Sequence, residues 1–246
     1  MLRSKKALLG IGAAVVLLVV GFGGWWFFIR DDAPKEASID DASKTLDENT
    51  TSTSAGGSSG SGELDGTWGV DTEIGSFDDF SGTFAGYRIQ EELATIGGTT
   101  AVGRTPDVSG SITIEGEKVT AGSFDVDMTT LKSDQDRRDN AIKDRGLQTN
   151  QFPKATFEIT EPITLPADAT SGDKVKFSAT GDLTLHGVTK TVTIDFDGQF
   201  ANGEIAVVGN TPIKLADYEI EKPTNVMALS IDDEGTLEFQ VFLKKS

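Results

Sequence analysis

The chain has 246 residues, with 39 acidic against 22 basic side chains, one histidine and no cysteine, for a net charge of −17. Without cysteine there is no disulfide framework, thiol nucleophile or thiolate metal site, and one histidine gives no multi-histidine zinc site within a single chain. The acidic excess argues against nucleic-acid binding through phosphate contacts, which needs clustered Lys and Arg, and it disfavours adhesion to anionic lipid headgroups.

Residues 1–30 carry Arg3, Lys5, Lys6 and Arg30 and no acid. Ala7 to Ile29 is an uncharged run of 23 residues, which as a helix spans about 34 Å and crosses a bilayer core of roughly 30 Å. Its exit, Trp25-Trp26-Phe27-Phe28-Ile29-Arg30, resembles an interfacial aromatic belt, not the small-x-small site of a cleaved signal peptide. The basic residues before the run place the N-terminus in the cytoplasm. Residues 1–30 are therefore read as an uncleaved signal-anchor transmembrane helix. The protein becomes a single-pass protein of the cell membrane, with everything after residue 30 extracytoplasmic. An atypical cleaved signal peptide is the alternative.

Residues 31–62 hold seven acids and two lysines, and from Thr50 to Gly62 every residue except Ala55 is Ser, Thr or Gly. Such a stretch buries too little apolar area to offset its ordering entropy, so a disordered linker with a root-mean-square reach of about 30 Å is expected.

Residues 63–246 form the one segment long enough for a core. Period-two alternation dominates it. Phe124, Val126 and Met128 alternate with Asp125 and Asp127; Val192, Ile194 and Phe196 with Thr193 and Asp195; Leu237, Phe239, Val241 and Leu243 with Glu238 and Gln240. Similar runs cover Phe84 to Ile89, Ile112 to Ile114, Ala155 to Ile159, Val175 to Leu185 and Ile205 to Gly209, which makes about eight strands with one dry and one wet face. His186-Gly187, Ala201-Asn202-Gly203 and Asp233-Glu234-Gly235 read as hairpin turns. Ser133, followed by acids and helix formers up to Lys143, reads as the N-cap of one short helix. The pattern gives an all-β antiparallel sheet with one helix and leaves barrel or sandwich open.

Several strings then resemble the YceI-like family: Val102-Gly103-Arg104-Thr105, Val108-Ser109-Gly110, Phe124 to Leu131, Arg137-Arg138-Asp139, Phe152-Pro153-Lys154-Ala155-Thr156-Phe157, and the hairpin Gly181-Asp182-Leu183-Thr184-Leu185-His186-Gly187-Val188-Thr189-Lys190. The resemblance covers residues 65–244 and implies a lipocalin-like antiparallel β-barrel in an envelope protein, with an elongated interior that binds a polyisoprenoid or quinone-like chain. A histidine usual in the family near the first strands is missing. Asp217-Tyr218-Glu219-Ile220 stands where the family tends to have an aromatic residue followed by glycine, so Glu219 is expected to narrow or charge the barrel mouth.

The lining expected for that interior is Phe84, Phe124, Val126, Met128, Phe157, Phe177, Leu183, Phe196 and Phe239, with Arg104 and His186 as candidate polar contacts. The phenylalanines also suit a filled core, and composition alone does not choose between filled and hollow. His186 reads more economically as a packed turn residue than as a proton-transfer group. Arg137, Arg138 and Asp139 suit an ion pair closing the helix onto the barrel, and Asp125, Asp127, Asp195 and Asp197 a solvated outer face. No catalytic residue, metal site or cofactor is expected, save a bound isoprenoid lipid or quinone as ligand. The protein partner is left open. The competing reading is an envelope stress or protein-interaction module with a solid core and an acidic binding surface.

Overall fold

The computed structural model describes residues 33–49, 64–94, 97–223 and 228–246. The apolar run of residues 7–29 lies outside them, and among the described residues no helix is long and apolar enough to cross a membrane.

Eleven strands form one antiparallel sheet: β1 (Gly66–Asp71), β2 (Phe84–Leu93), β3 (Gly97–Thr105), β4 (Val108–Glu115), β5 (Lys118–Asp127), β6 (Lys154–Ile159), β7 (Ile163–Thr164), β8 (Lys174–Leu185), β9 (Val188–Ala201), β10 (Glu204–Lys214) and β11 (Ala228–Lys245). Eight of them, β1-β4-β5-β6-β8-β9-β10-β11, return to β1 and close a barrel. Closure removes the exposed edges that an open sheet of this size would carry. The β2–β3 hairpin extends the wall from β11, and its free side is tied down by Arg104 exchanging backbone hydrogen bonds with Lys132. The barrel thus settles the choice between barrel and sandwich that alternation alone left open.

The turns at His186-Gly187 and Asn202-Gly203 have positive φ at both central residues (52° and 76°; 59° and 84°). That is the backbone of a type I′ hairpin, whose twist matches the strands it joins. Asp233-Glu234-Gly235 is not a turn. It lies inside the 18-residue β11, where the register against β2 shifts between Ile231 and Gly235. A bulge, like a hairpin, uses a glycine flanked by polar residues, so the local chemistry does not separate the two.

A short helix, α2 (Asp136–Asp144), crosses one barrel end, and its N-cap is Gln135 instead of Ser133. The hydroxyl of Ser133 donates to the Asp139 carboxylate at 2.6 Å, and the same carboxylate accepts from the Ser133 N–H at 2.9 Å. Ser133 therefore ties the incoming loop to the helix instead of starting it.

The expected disordered linker holds an ordered piece. Residues 33–49 form a strap on the outside of the barrel, an extended segment leading into α1 (Ile39–Asn49). Ser38 caps α1: its Oγ accepts from the Asp41 N–H at 3.2 Å and donates to the Asp41 carboxylate at 3.1 Å, which satisfies one of the free N–H groups of the first turn and fixes the hydroxyl that does so. Ala42 and Leu46 are fully buried against Phe84, Ala206, Val208 and Phe242. These four point out of the barrel, so β10 and β11 are apolar on both faces here and the strap covers what would otherwise meet water.

Below the strap lies a buried ion pair. Arg104 donates to Glu238 at 2.8 Å, with side chains 2% and 0% exposed, while the guanidinium lies 4.5 and 4.2 Å from the Phe80 and Phe84 ring centroids. Arg88 reaches the same carboxylate at 3.4 Å. The strap completes the shell, since the Lys35 and Pro34 carbonyls accept from Arg104 (2.5 Å) and Arg88 (2.7 Å), and the Ala37 N–H donates to Glu238 (3.4 Å). Charges taken out of water stay stable only when paired and fully hydrogen-bonded.

Two outcomes follow for stability. Leu46→Ala removes a fully buried side chain and should cost about 2–4 kcal/mol of strap docking, seen as new protease cleavage between residues 33 and 49 of a barrel that stays intact; unchanged protection would sink the docking. Glu238→Gln leaves the buried Arg104 guanidinium without its carboxylate and should cost about 3–5 kcal/mol in urea unfolding.

Candidate functional site

Because the strands alternate, each contributes one row of side chains to the barrel interior. Odd positions of β8 point inward (Val175, Phe177, Ala179, Leu183, Leu185), as do even positions of β9 (Ile194, Phe196, Phe200) and odd positions of β11 (Leu237 to Leu243). These rows surround a cavity of about 380 Å³ that runs the length of the barrel, within the roughly 300–1,000 Å³ range of small-molecule pockets.

The rings leave this space open because they lie along the wall over glycines. A Cβ placed on Gly209 would sit 2.1 Å from the Phe239 ring; on Gly103, 2.4 Å from Tyr87; on Gly181, 2.7 Å from Phe157; on Gly198, 2.9 Å from Phe177. Phe239 and Tyr87 stand directly opposite their glycines in register. An aromatic ring folded over a cross-strand glycine covers the bare backbone and gives up its reach into the lumen. Phe196 stands among these rings, stacked on Phe177 at 5.4 Å and 5.2 Å from Phe239, so the mid-section is an aromatic belt.

The two barrel ends differ. One is closed by Leu64, Ile163, Ala169, Val175 and Leu243, all buried. At the other end the lining includes exposed residues, Gln135 at the N-cap of α2, Arg137 in its first turn and Glu221 after β10, and this end is the mouth. Polar side chains collect there. Arg138 on α2 is ion-paired with Glu91 of β2 and with Asp134, which clamps the helix over the mouth. This is the ion pair anticipated for the Arg137-Arg138-Asp139 run, although it is carried by Arg138, while Asp139 serves Ser133. The ring of Tyr87 faces the lumen. Its hydroxyl is covered and has no hydrogen-bond partner, and burial pushes its ionisation above the ordinary phenol value, so it stays neutral.

Of the residues expected to line the interior, Phe124, Val126, Met128, Phe157, Phe177, Leu183, Phe196 and Phe239 do border the cavity. Phe84 does not. It opens β2 on the outward parity and packs under the strap with Leu46, Ala206 and Phe242. Arg104 also points outward, into the Glu238 pair, and does not border the cavity. Neither is His186 there. Its Nδ1–H donates to the Tyr218 carbonyl at 3.0 Å and its ring packs edge-on to Phe152 at 4.4 Å, so it staples the β8–β9 turn to the segment after β10. Glu219 neither narrows nor charges the mouth, since its side chain is exposed and away from the lining. It adopts φ 54°, the left-handed region, which explains why glycine suits that position.

Sequence reasoning missed the β2 row (Tyr87, Glu91), the α2 residues at the mouth and the closed-end residues Leu64 and Ile163. The glycines at inward positions 103, 181, 198 and 209 were the available signal for a hollow interior.

Comparison with known proteins follows the same lines. The YceI-like domain family model matches residues 44–243, starting within α1. A UPF0312 protein of Vibrio campbellii is 32% identical over 141 residues, covering 54% of this chain and 71% of that protein. A UPF0312 protein of Shewanella denitrificans is 33% identical over 142 residues, with the same shares covered. Among solved structures, a polyisoprenoid binding domain from Saccharophagus degradans, implicated in plant cell wall breakdown, superposes with TM-score 0.54 at 17% identity, covering 73% of this chain and 98% of that one. BcnA of Burkholderia cenocepacia gives TM-score 0.51 at 15% identity, over 65% and 94%. A match over residues 44–243, borne by a closed eight-strand barrel, places this chain in the YceI-like domain family.

Proposed function

We propose that the barrel binds one isoprenoid-type lipid chain, a polyisoprenoid or the tail of an isoprenoid quinone. In this reading it holds the lipid at the outer face of the cytoplasmic membrane, tethered by the apolar N-terminal run. The observation that carries this reading is the lumen: it runs the length of the barrel and is walled mainly by aliphatic and aromatic side chains, with charged groups concentrated toward the mouth. Such a wall suits a hydrocarbon chain, which needs no hydrogen-bond partner along its length. Transfer of apolar surface out of water contributes about 25 cal/mol per Å², enough to drive loading without any bond being made or broken. The protein is accordingly read as a carrier or buffer, not as a catalyst.

A solid-core interaction module finds no support in a barrel whose rings lie against its walls. Membrane attachment and extracytoplasmic location rest on the apolar run and on its basic N-terminal flank.

The full-length protein, purified from membranes and extracted with organic solvent, should release an isoprenoid lipid identified by mass spectrometry. Phe124→Ala, which enlarges the lumen, and Ala179→Trp, which fills it from a wall position 1% exposed, should shift lipid loading in opposite directions. No extractable lipid, or equal loading in both variants, would reject the proposal.

A further inference from the structure

The strap changes what the N-terminal segment does. A disordered linker would leave the barrel free to tumble at the membrane, but the described strap is fixed to the barrel along its length. Its first residues, Pro34 and Lys35, are held by Arg88 and Arg104. Its last, Leu46 and Asn49, are held by Asn202 and Glu204 at the β9–β10 turn. That turn lies at the closed end, where β9 meets β10 beside the buried Phe200 and Ile205. The strap therefore runs from the mouth side down to the closed end, and its N-terminal end points toward the mouth.

Chain length then limits the distance. Ile29, the last residue of the apolar run, stands five residues before Pro34, and fully extended those five residues reach about 17 Å. Leu93, at the mouth end of β2, stands five residues beyond Arg88, where Pro34 docks, again about 17 Å along the strand. The closed end lies further away, past an extended stretch and the 11-residue α1, itself about 16 Å long. A bilayer holding the apolar run can therefore reach the mouth or the strap face, but not the closed end. The exposed strap side of α1 carries Asp40, Asp41, Asp47 and Glu48, with Asp40 ion-paired to Lys174 and Asp41 to Lys44, and it presents no exposed large apolar side chain to a bilayer. At the mouth stands Leu229, 57% exposed and the one large apolar side chain left exposed among the described residues; its neighbour Ala228 pairs with Leu93.

From these observations we infer that the docked strap holds the barrel mouth-down on the bilayer, with the rim around Leu93 and Leu229 touching the lipid surface. Lipid then passes between membrane and lumen without crossing water. The inference rests on the proposed membrane anchor, and it is the strap, not the anchor, that sets the orientation.

The chain has no native cysteine, so single labels can be placed cleanly. The full-length protein with Leu229→Cys or, at the closed end, Asp168→Cys is labelled with an environment-sensitive fluorophore. It is then reconstituted into phosphatidylethanolamine–phosphatidylglycerol vesicles carrying headgroup spin-labelled lipid. Quenching at position 229 should exceed that at 168 several-fold. Adding Leu46→Asp to free the strap should erase the difference, while the protein still sediments with vesicles and keeps its β-sheet circular dichroism. Equal quenching at the two positions in the strap-intact protein, or a difference that survives Leu46→Asp in the folded variant, overturns the orientation but leaves the anchor standing. Failure of the protein to sediment with vesicles overturns the anchor and the orientation together.

Discussion

The structure depends on β11 more than on any other element. Its 18 residues pair with β10 along most of their length, with β1 at one end and with β2 toward the other, so one strand both closes the barrel and carries the hairpin that extends it. The alternation of its side chains divides two jobs between two faces. Leu237, Phe239, Val241 and Leu243 line the lumen; Glu238, Gln240 and Phe242 look outward and are nonetheless buried, because the strap and the loop of residues 72–83 lie on them. Gln240 donates to the Ser81 and Gly82 carbonyls at 3.0 and 2.8 Å, as Glu238 serves the two arginines and the strap. A polar residue at alternate positions of a strand signals a wet face only when nothing packs on it. Here the outer face of β11 is a second, hydrogen-bonded interior.

That distinction explains what was legible in the sequence. The period of two in β8, β9 and β11 reports which residues share a face; the barrel and its hollow interior were implied by the family resemblance, and eight of the nine residues expected to line it border the cavity. It does not report which face is inside when both are covered. An apolar residue beginning a strand suits either side, so the outward parity of Phe84 becomes visible only against Arg104 and the strap. The run Ile205-Ala206-Val207-Val208 carried the needed hint, four successive apolar residues that an outer face in water would not tolerate. The strap itself was obscured by composition. Residues 31–62 are acidic and Ser/Thr/Gly-rich on average, but Ala42, Leu46 and the Ser38 N-cap occupy a short stretch within them. Averages over a linker hide a single amphipathic turn or two.

The charges follow the same logic. Arg104 lies inside a string that resembles the family, which invites a ligand role, but its partners are a carboxylate, two phenylalanine rings and a strap carbonyl. With that shell filled, the guanidinium has no approach to the lumen. The outward acids Asp125 and Asp197 pair with Lys154 and Lys176; such surface pairs contribute roughly 0–1 kcal/mol each and matter more for solubility.

A hollow barrel raises a stability problem that the periphery answers. Side chains that line a lumen of about 380 Å³ give up packing contacts that a filled core would supply. The barrel offsets that loss with closure of all eight strands and with the strap that buries the outer apolar stripe. A chain drawn into the lumen recovers part of the missing packing, so ligand and fold stabilise each other in the way any ligand selective for the native state does. On this reasoning the glycines beneath the rings are functional residues although they touch no ligand. A side chain at Gly209 would push Phe239 inward, fill the lumen and remove the deficit that makes loading favourable.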